Sequence, residues 1–231
     1  AIQTGDEPRI VSEFGNWGLP NVDGLRNKDG NAPWWFETGD EWPEGIVYPH
    51  GVKKRFKRWS LDKWFGSWER FVKRVQWQQY QALSYEIDSI RRQSALAGYV
   101  ITEFTDVHWE ANGLLDMNRN PKVFFDAMTR ISGETTLILD VTHPAVWAGA
   151  TIPMSITVSH HGGTPIEGAR LIISHGAATL VDAPLPTIGF NQPVQYDLTL
   201  HAPSTDHIQD VKYRIALETP DGDVITHRNL T

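Results

Sequence analysis

Apolar residues repeat along this chain with two different periods, and the change from one to the other falls near residue 133. Arg9-Ile-Val-Ser-Glu-Phe14 is a short apolar run of β-favouring residues closed by Gly15, which predicts a strand. Residues 16–66 scatter Gly, Pro, Asn and Asp without period; a loop of that length in a folded domain points to short helical turns and a role at a site. Val72, Val75, Gln79, Leu83, Ile87 and Ile90 then follow steps of three and four, predicting a helix over 68–92. Ser67 is placed to cap it, Glu69 and Arg91-Arg92 suit its two dipole ends, and Gly98 is read as its exit. A second apolar strand is predicted over 99–104. A helix is predicted over 121–132, with Asn120 as cap and Pro121 in its first turn.

Strand, long loop, helix, strand, loop, helix amounts to two βα units, an arrangement that runs strands parallel under covering helices. From 134 the period becomes two: Ile152, Met154, Ile156 and Val158 alternate with smaller or polar residues, as do Val211, Tyr213, Ile215 and Leu217. Further strands are expected at 135–141, 169–174 and 194–200, and Pro220-Asp-Gly222 makes a hairpin turn into Val224-Ile-Thr226. Around seven strands in ~100 residues predict an antiparallel immunoglobulin-type sandwich. The expected domains are therefore 1–133, α/β, and 134–231, all-β.

Composition sharpens this division. Nine of the 10 Trp precede residue 110. Residues 1–133 carry 17 basic and 18 acidic groups, residues 134–231 only 4 and 10. The net charge of -7 argues against a nucleic acid or an anionic membrane as partner, and no apolar run is long enough for a membrane helix. The basic cluster Lys53-Lys-Arg55 and Lys57-Arg58 is read as a solvated or salt-bridged surface. There is no Cys, hence no disulfide or thiolate metal site, and His160-His161 lacks a partner at ligand spacing, so no metal or other cofactor is expected. Nucleotide-binding and Ser-hydrolase motifs are absent. The first residues, AIQTGDEPRI, show no signal-peptide pattern.

Three segments carry a resemblance. Pro8-Arg-Ile-Val-Ser-Glu-Phe-Gly15 resembles the nucleophile strand of glycoside hydrolase family 2, the β-galactosidases, β-glucuronidases and β-mannosidases. Gly98-Tyr-Val-Ile-Thr-Glu-Phe-Thr-Asp106, with Asn112-Gly-Leu-Leu-Asp116 and Arg119-Asn-Pro-Lys122, resembles the eighth barrel strand and the entry to the last helix. Residues 78–91 resemble the helix between them. The resemblance implies the C-terminal part of a (β/α)8 TIM barrel followed by the sandwich. A complete barrel needs ~250 residues, so the chain is expected to be the tail of a longer enzyme. It would pair with the missing barrel units or with another copy of itself through exposed strand edges.

By that resemblance Glu13 is the catalytic nucleophile of a retaining enzyme acting on β-glycosidic bonds of a carbohydrate. The acid/base carboxylate belongs to a strand this chain does not contain, and the chain alone is expected to be inactive. Asn16 and Trp17, directly after Glu13, are expected to reach the sugar, and Trp34 and Trp35 to stack on it from the long loop. Glu103 is expected as a substrate contact from the neighbouring strand end, with Asp106 and Glu110 as further candidates in the loop after it. Thr102 stands where the family resemblance calls for an aromatic residue. That departure supports an alternative, a non-catalytic carbohydrate-binding or structural module with a degenerate barrel remnant.

Overall fold

In the computed structural model the described residues are 5, 7–20, 22–31, 52–107, 110–143 and 145–230. Trp34 and Trp35 lie outside them. The chain divides into two compact units, residues 1–86 with 98–128, and residues 87–97 with 129–231.

A two-stranded sheet sets β1 (Arg9–Phe14) beside β2 (Leu96–Ile101), of which residues 98–101 fall in the first unit. The Phe14 carbonyl, at the end of β1, accepts the Thr102 N–H just past the end of β2, at 2.7 Å. The two C-terminal ends therefore lie side by side, as in a parallel pair. Between the strands run α1 (Val52–Arg58), α2 (Asp62–Phe65) and the 24-residue α3 (Trp68–Arg91). Helix α3 begins where the sequence predicts: the Arg70 N–H donates to Ser67 Oγ at 3.2 Å. Its inward stripe is Trp68, Val72, Gln76, Gln79, Leu83 and Ile87, all buried. Phe56 of α1 and Trp68, Val72 and Phe71 of α3 build a small aromatic core, in which the Phe56 and Trp68 rings meet edge to face with centroids 5.5 Å apart.

Three local expectations need correction. Gly98 is part of β2, and the helix ends seven residues earlier, at Arg91. The strand expected over 99–104 ends at Ile101, so Glu103 stands beyond it. The helix expected over 121–132 is a 3-10 turn, Phe125–Met128, followed by the single turn α4 (Thr129–Ser132). Pro121 instead pairs in an antiparallel bridge with Leu115, and that pairing holds the chain extended there.

In the second unit β3 (Thr135–Val141), β4 (Thr151–His160) and β7 (Val194–His201) form one antiparallel sheet in the order β3-β4-β7. β6 (Ala178–Pro184), β5 (Arg170–His175), β8 (Tyr213–Glu218) and β9 (Val224–Leu230) form the other, in the order β6-β5-β8-β9. Inward residues of both sheets share one core, with Ile156, Val158, Leu171, Ile173, Ile215 and Leu217 sealed from solvent. Seven strands in two packed antiparallel sheets match the predicted sandwich, with the fourth strand in sequence joined to the larger sheet. β6 is not predicted. It is an edge strand whose residues are mostly exposed, so no apolar alternation marks it in the sequence.

Residues 87–97 belong to this second unit. Arg91 anchors them: its guanidinium donates to the carbonyls of Gly133 and Glu134, each at 2.9 Å, and to Ser159. Arg228 of β9 pairs with Asp88 at 2.7 Å and also donates to the Leu137 carbonyl. Both nitrogens of His160 are engaged, by Thr135 Oγ1 at 2.8 Å and the Thr164 carbonyl at 2.9 Å.

Candidate functional site

The adjoining C-terminal ends of β1 and β2 gather carboxylates. Glu13 is the penultimate residue of β1 and its side chain is exposed. Glu103 follows β2 by two residues and is partly buried, with Oε2 sealed from solvent and given no hydrogen-bond partner. Its carboxyl is held above the usual range, first by desolvation and then by the negative charges of Glu110 and Glu13. Of the expected site residues, then, Glu13 and Glu103 come within electrostatic reach of each other.

Gly15 makes this approach possible. A Cβ at that position would run into the Thr102 carbonyl oxygen, so only glycine lets the chain leave β1 so close to the end of β2.

Asn16 is oriented from both sides. Its Oδ1 accepts the Trp17 N–H at 2.9 Å, and its side chain hydrogen-bonds Glu86 of α3. Desolvation raises the Glu86 carboxyl, and the Asn16 bond partly offsets this. The Trp17 indole is 55 % exposed, an aromatic face open to solvent next to Glu13.

Asp106 is placed differently. It is fully enclosed, with Oδ1 accepting the Gly113 N–H and the Lys122 ammonium, both at 2.8 Å. Lys122 completes its set of acceptors with the Ala111 carbonyl at 3.0 Å and Gln79 Oε1 at 3.2 Å. Gln79 in turn donates to the carbonyls of Asn112 and Gly113. This buried polar knot ties residues 106–122 to α3. Desolvation pushes the Asp106 carboxyl up to about 6 even against the Lys122 charge. The ion pair accounts for the burial of Asp106.

Glu110, a loop candidate of the sequence, joins the site, and so do Glu86 and Phe104, which the sequence did not single out. Glu110 exchanges both backbone hydrogen bonds with Val107 and accepts from Asn112 Nδ2 at 2.9 Å, which sets its carboxylate beside Glu103. Glu86 reaches Asn16 from a helix seventy residues later, a pairing with no sequence signature. Phe104 is 64 % exposed, two residues past Thr102, so an aromatic face is present close to the position where the resemblance expects one.

Chemically, the arrangement offers the exposed carboxyl group of Glu13, a neighbouring carboxyl whose proton is held more tightly than usual, and aromatic faces. These are the elements for binding a polyhydroxylated ring and for attack at an electrophilic carbon.

No family model and no curated protein matches the sequence. Among solved structures, a β-D-mannosidase from Dictyoglomus thermophilum aligns over 96 % of this chain and 27 % of its own, with a TM-score of 0.57 and 12 % identity. The sporulation control protein Spo0M from Bacillus subtilis aligns over 42 % of this chain and 47 % of its own, with a TM-score of 0.32 and 15 % identity. A β-glucosidase from Kluyveromyces marxianus aligns over 46 % of this chain and 16 % of its own, with a TM-score of 0.22 and 12 % identity. Of these three, the mannosidase likeness is close enough to describe a shared fold, and the chain spans about a quarter of that enzyme's length.

Proposed function

We propose that this chain is the C-terminal segment of a retaining glycoside hydrolase of the family 2 type, acting on β-glycosidic bonds, with Glu13 as the nucleophile. The supporting observation is the meeting of Glu13 and Glu103 at the joined C-terminal ends of β1 and β2, the end where (β/α)8 barrels hold their chemistry. The fold likeness to a β-mannosidase agrees with this and makes β-mannosides the first substrates to try.

In the proposed reaction a Glu13 carboxylate oxygen bonds to the anomeric carbon as the glycosidic C–O bond breaks. The departing oxygen takes a proton from an acid/base carboxylate on the part of the barrel that precedes this chain. Water, deprotonated by that same group, then cleaves the glycosyl ester. Glu103, with its raised proton affinity, is the group to donate a hydrogen bond to a ring hydroxyl, and Trp17 and Phe104 are the faces on which the ring packs. Asn16, held by Glu86, fixes the turn that presents Trp17. Trp34 and Trp35, outside the described residues, are assigned to the same subsites from the sequence alone. Without the acid/base carboxylate the isolated chain does not turn over glycosides.

The test uses the longer enzyme of which this chain forms the end. A 2-deoxy-2-fluoro glycosyl fluoride should leave a stable ester on Glu13, located by peptide mass spectrometry. Glu13→Gln should lower kcat for an aryl β-mannoside at least about a thousandfold, on the order of 4 kcal/mol of transition-state stabilisation. Undiminished turnover by Glu13→Gln, or a label on another carboxylate, defeats the assignment.

A further inference from the structure

The stretch from Val52 to Arg74 carries nine basic residues and two acidic ones, in a chain whose net charge is -7. It comprises α1, α2 and the start of α3, which share the Phe56–Trp68–Val72 core, so their outer faces bound one small subdomain. Lys54, Lys57 and Arg58 of α1, Lys63 of α2, and Arg70 and Arg74 of α3 are exposed, and among the described residues none of them makes an ion pair. Of the cluster read in the sequence as a solvated or salt-bridged surface, Lys54, Lys57 and Arg58 are exposed, while Lys53 lies over the Trp68 ring at 5.9 Å. Like charges gathered in one short stretch repel one another, and an anionic ligand would relieve that repulsion.

Indole faces lie among these cations. Trp64 is 85 % exposed, Trp59 62 % and Trp77 40 %. They are not needed to fill the local core, which Trp68 and three Phe rings already occupy. On α3 the outward stripe runs Arg70, Arg74, Trp77, one turn at a time, and Tyr80 props the Trp77 ring edge-on at 5.4 Å. A rigid indole with a guanidinium one turn away is suited to a ligand that presents a flat apolar face and an anionic group in the same repeating unit.

We infer that this face binds an anionic polysaccharide whose units are uronic acids. The pyranose C–H faces lie on Trp64, Trp59 and Trp77, and the carboxylates pair with the surrounding Lys and Arg. Preferring a polyuronate to other polyanions rests on the reading of this chain as part of a carbohydrate enzyme. Single-stranded nucleic acid, with one charge and one stacking ring per unit, is the competing occupant.

The 231-residue chain is titrated calorimetrically with polygalacturonate, a neutral galactomannan, single-stranded oligothymidylate, and vesicles of mixed zwitterionic and anionic lipid. Binding of polygalacturonate that weakens as salt is added, with little or no binding of galactomannan, is the expected pattern. Trp64→Ala with Trp77→Ala should weaken it about a hundredfold, roughly tenfold being the usual scale for each stacked ring lost. Lys54→Glu with Arg58→Glu and Arg74→Glu should weaken it at least as much. All these positions are on the surface, and unchanged melting temperatures would show that the variants remain folded. Glu13→Gln should leave the binding unchanged, so failure of the catalytic assignment and failure of this one are separate results. Tighter binding of oligothymidylate or vesicles, equal binding of galactomannan, indifference to the substitutions, or no binding of any polymer would each overturn the inference.

Discussion

Lys122 Nζ lies 2.8 Å from Asp106 Oδ1, and both side chains are shut away from water, at 1 % and 3 % exposure. Such a pair is worth little in total, since desolvation of two ions opposes their attraction, but removing one partner is costly. Lys122→Met should destabilise the chain by about 3–5 kcal/mol in urea unfolding at neutral pH. Exchanging both residues for apolar side chains of similar size should cost less than the single change. A single variant as stable as the parent would mean that the knot does not hold residues 106–122.

The same pair makes stability depend on pH. Asp106 has its carboxyl raised from 3.8 to about 6. Between those values the folded chain keeps a proton that the unfolded chain has lost, so folding is favoured at the acid end and the contribution is lost as pH rises through about 6. The raised carboxyls of Glu103 and Glu86 act in the same sense. Asp106→Asn should remove on the order of 2–3 kcal/mol from the difference in unfolding free energy between about pH 4 and pH 7. Parallel stability–pH curves for parent and variant would contradict the assignment.

Gly15→Ala drives a methyl group into the Thr102 carbonyl. The strand ends must then part, and the Phe14–Thr102 hydrogen bond with them. Faster amide exchange at Thr102 is expected, together with a Glu103 carboxyl that moves back toward its ordinary range as Glu13 withdraws, followed by carbon-13 carboxyl titration. An unchanged Glu103 titration would separate the two carboxylates.

Arg91→Leu removes the hydrogen bonds the guanidinium makes to Gly133, Glu134 and Ser159, and leaves the Glu134 carbonyl with the His161 N–H as its remaining donor among the described residues. A loss of about 3 kcal/mol is expected by chemical denaturation, with the melting temperature lowered accordingly. Arg91→Lys should recover only part of it, because an ammonium cannot span the same acceptors.

Much of this was legible in the sequence where a local rule governs. The period-two run of Ile152 to Val158 gave β4, and the three- and four-residue steps from Val72 to Ile87 gave α3, because burial of one face imposes those spacings. Ser67 was legible as a cap, since its hydroxyl meets an N–H only three residues away. β6 and the broken helix before residue 133 were not. An exposed edge strand owes its conformation to the pairing of β5, and Pro121 is held extended by Leu115.

The candidate site divides in the same way. Sequence alone determined that Glu13 and Glu103 stand at strand ends within resembling motifs, and that the basic residues of 52–74 outnumber the acidic ones. Only the tertiary structure decided that Asp106 is consumed by Lys122, that Glu86 joins the strand-end cluster, and that Trp59, Trp64 and Trp77 are exposed. The physical reason is range. Spacing and capping act over a few residues along the chain, whereas desolvation and charge act through space, and the chain must fold before either has a value.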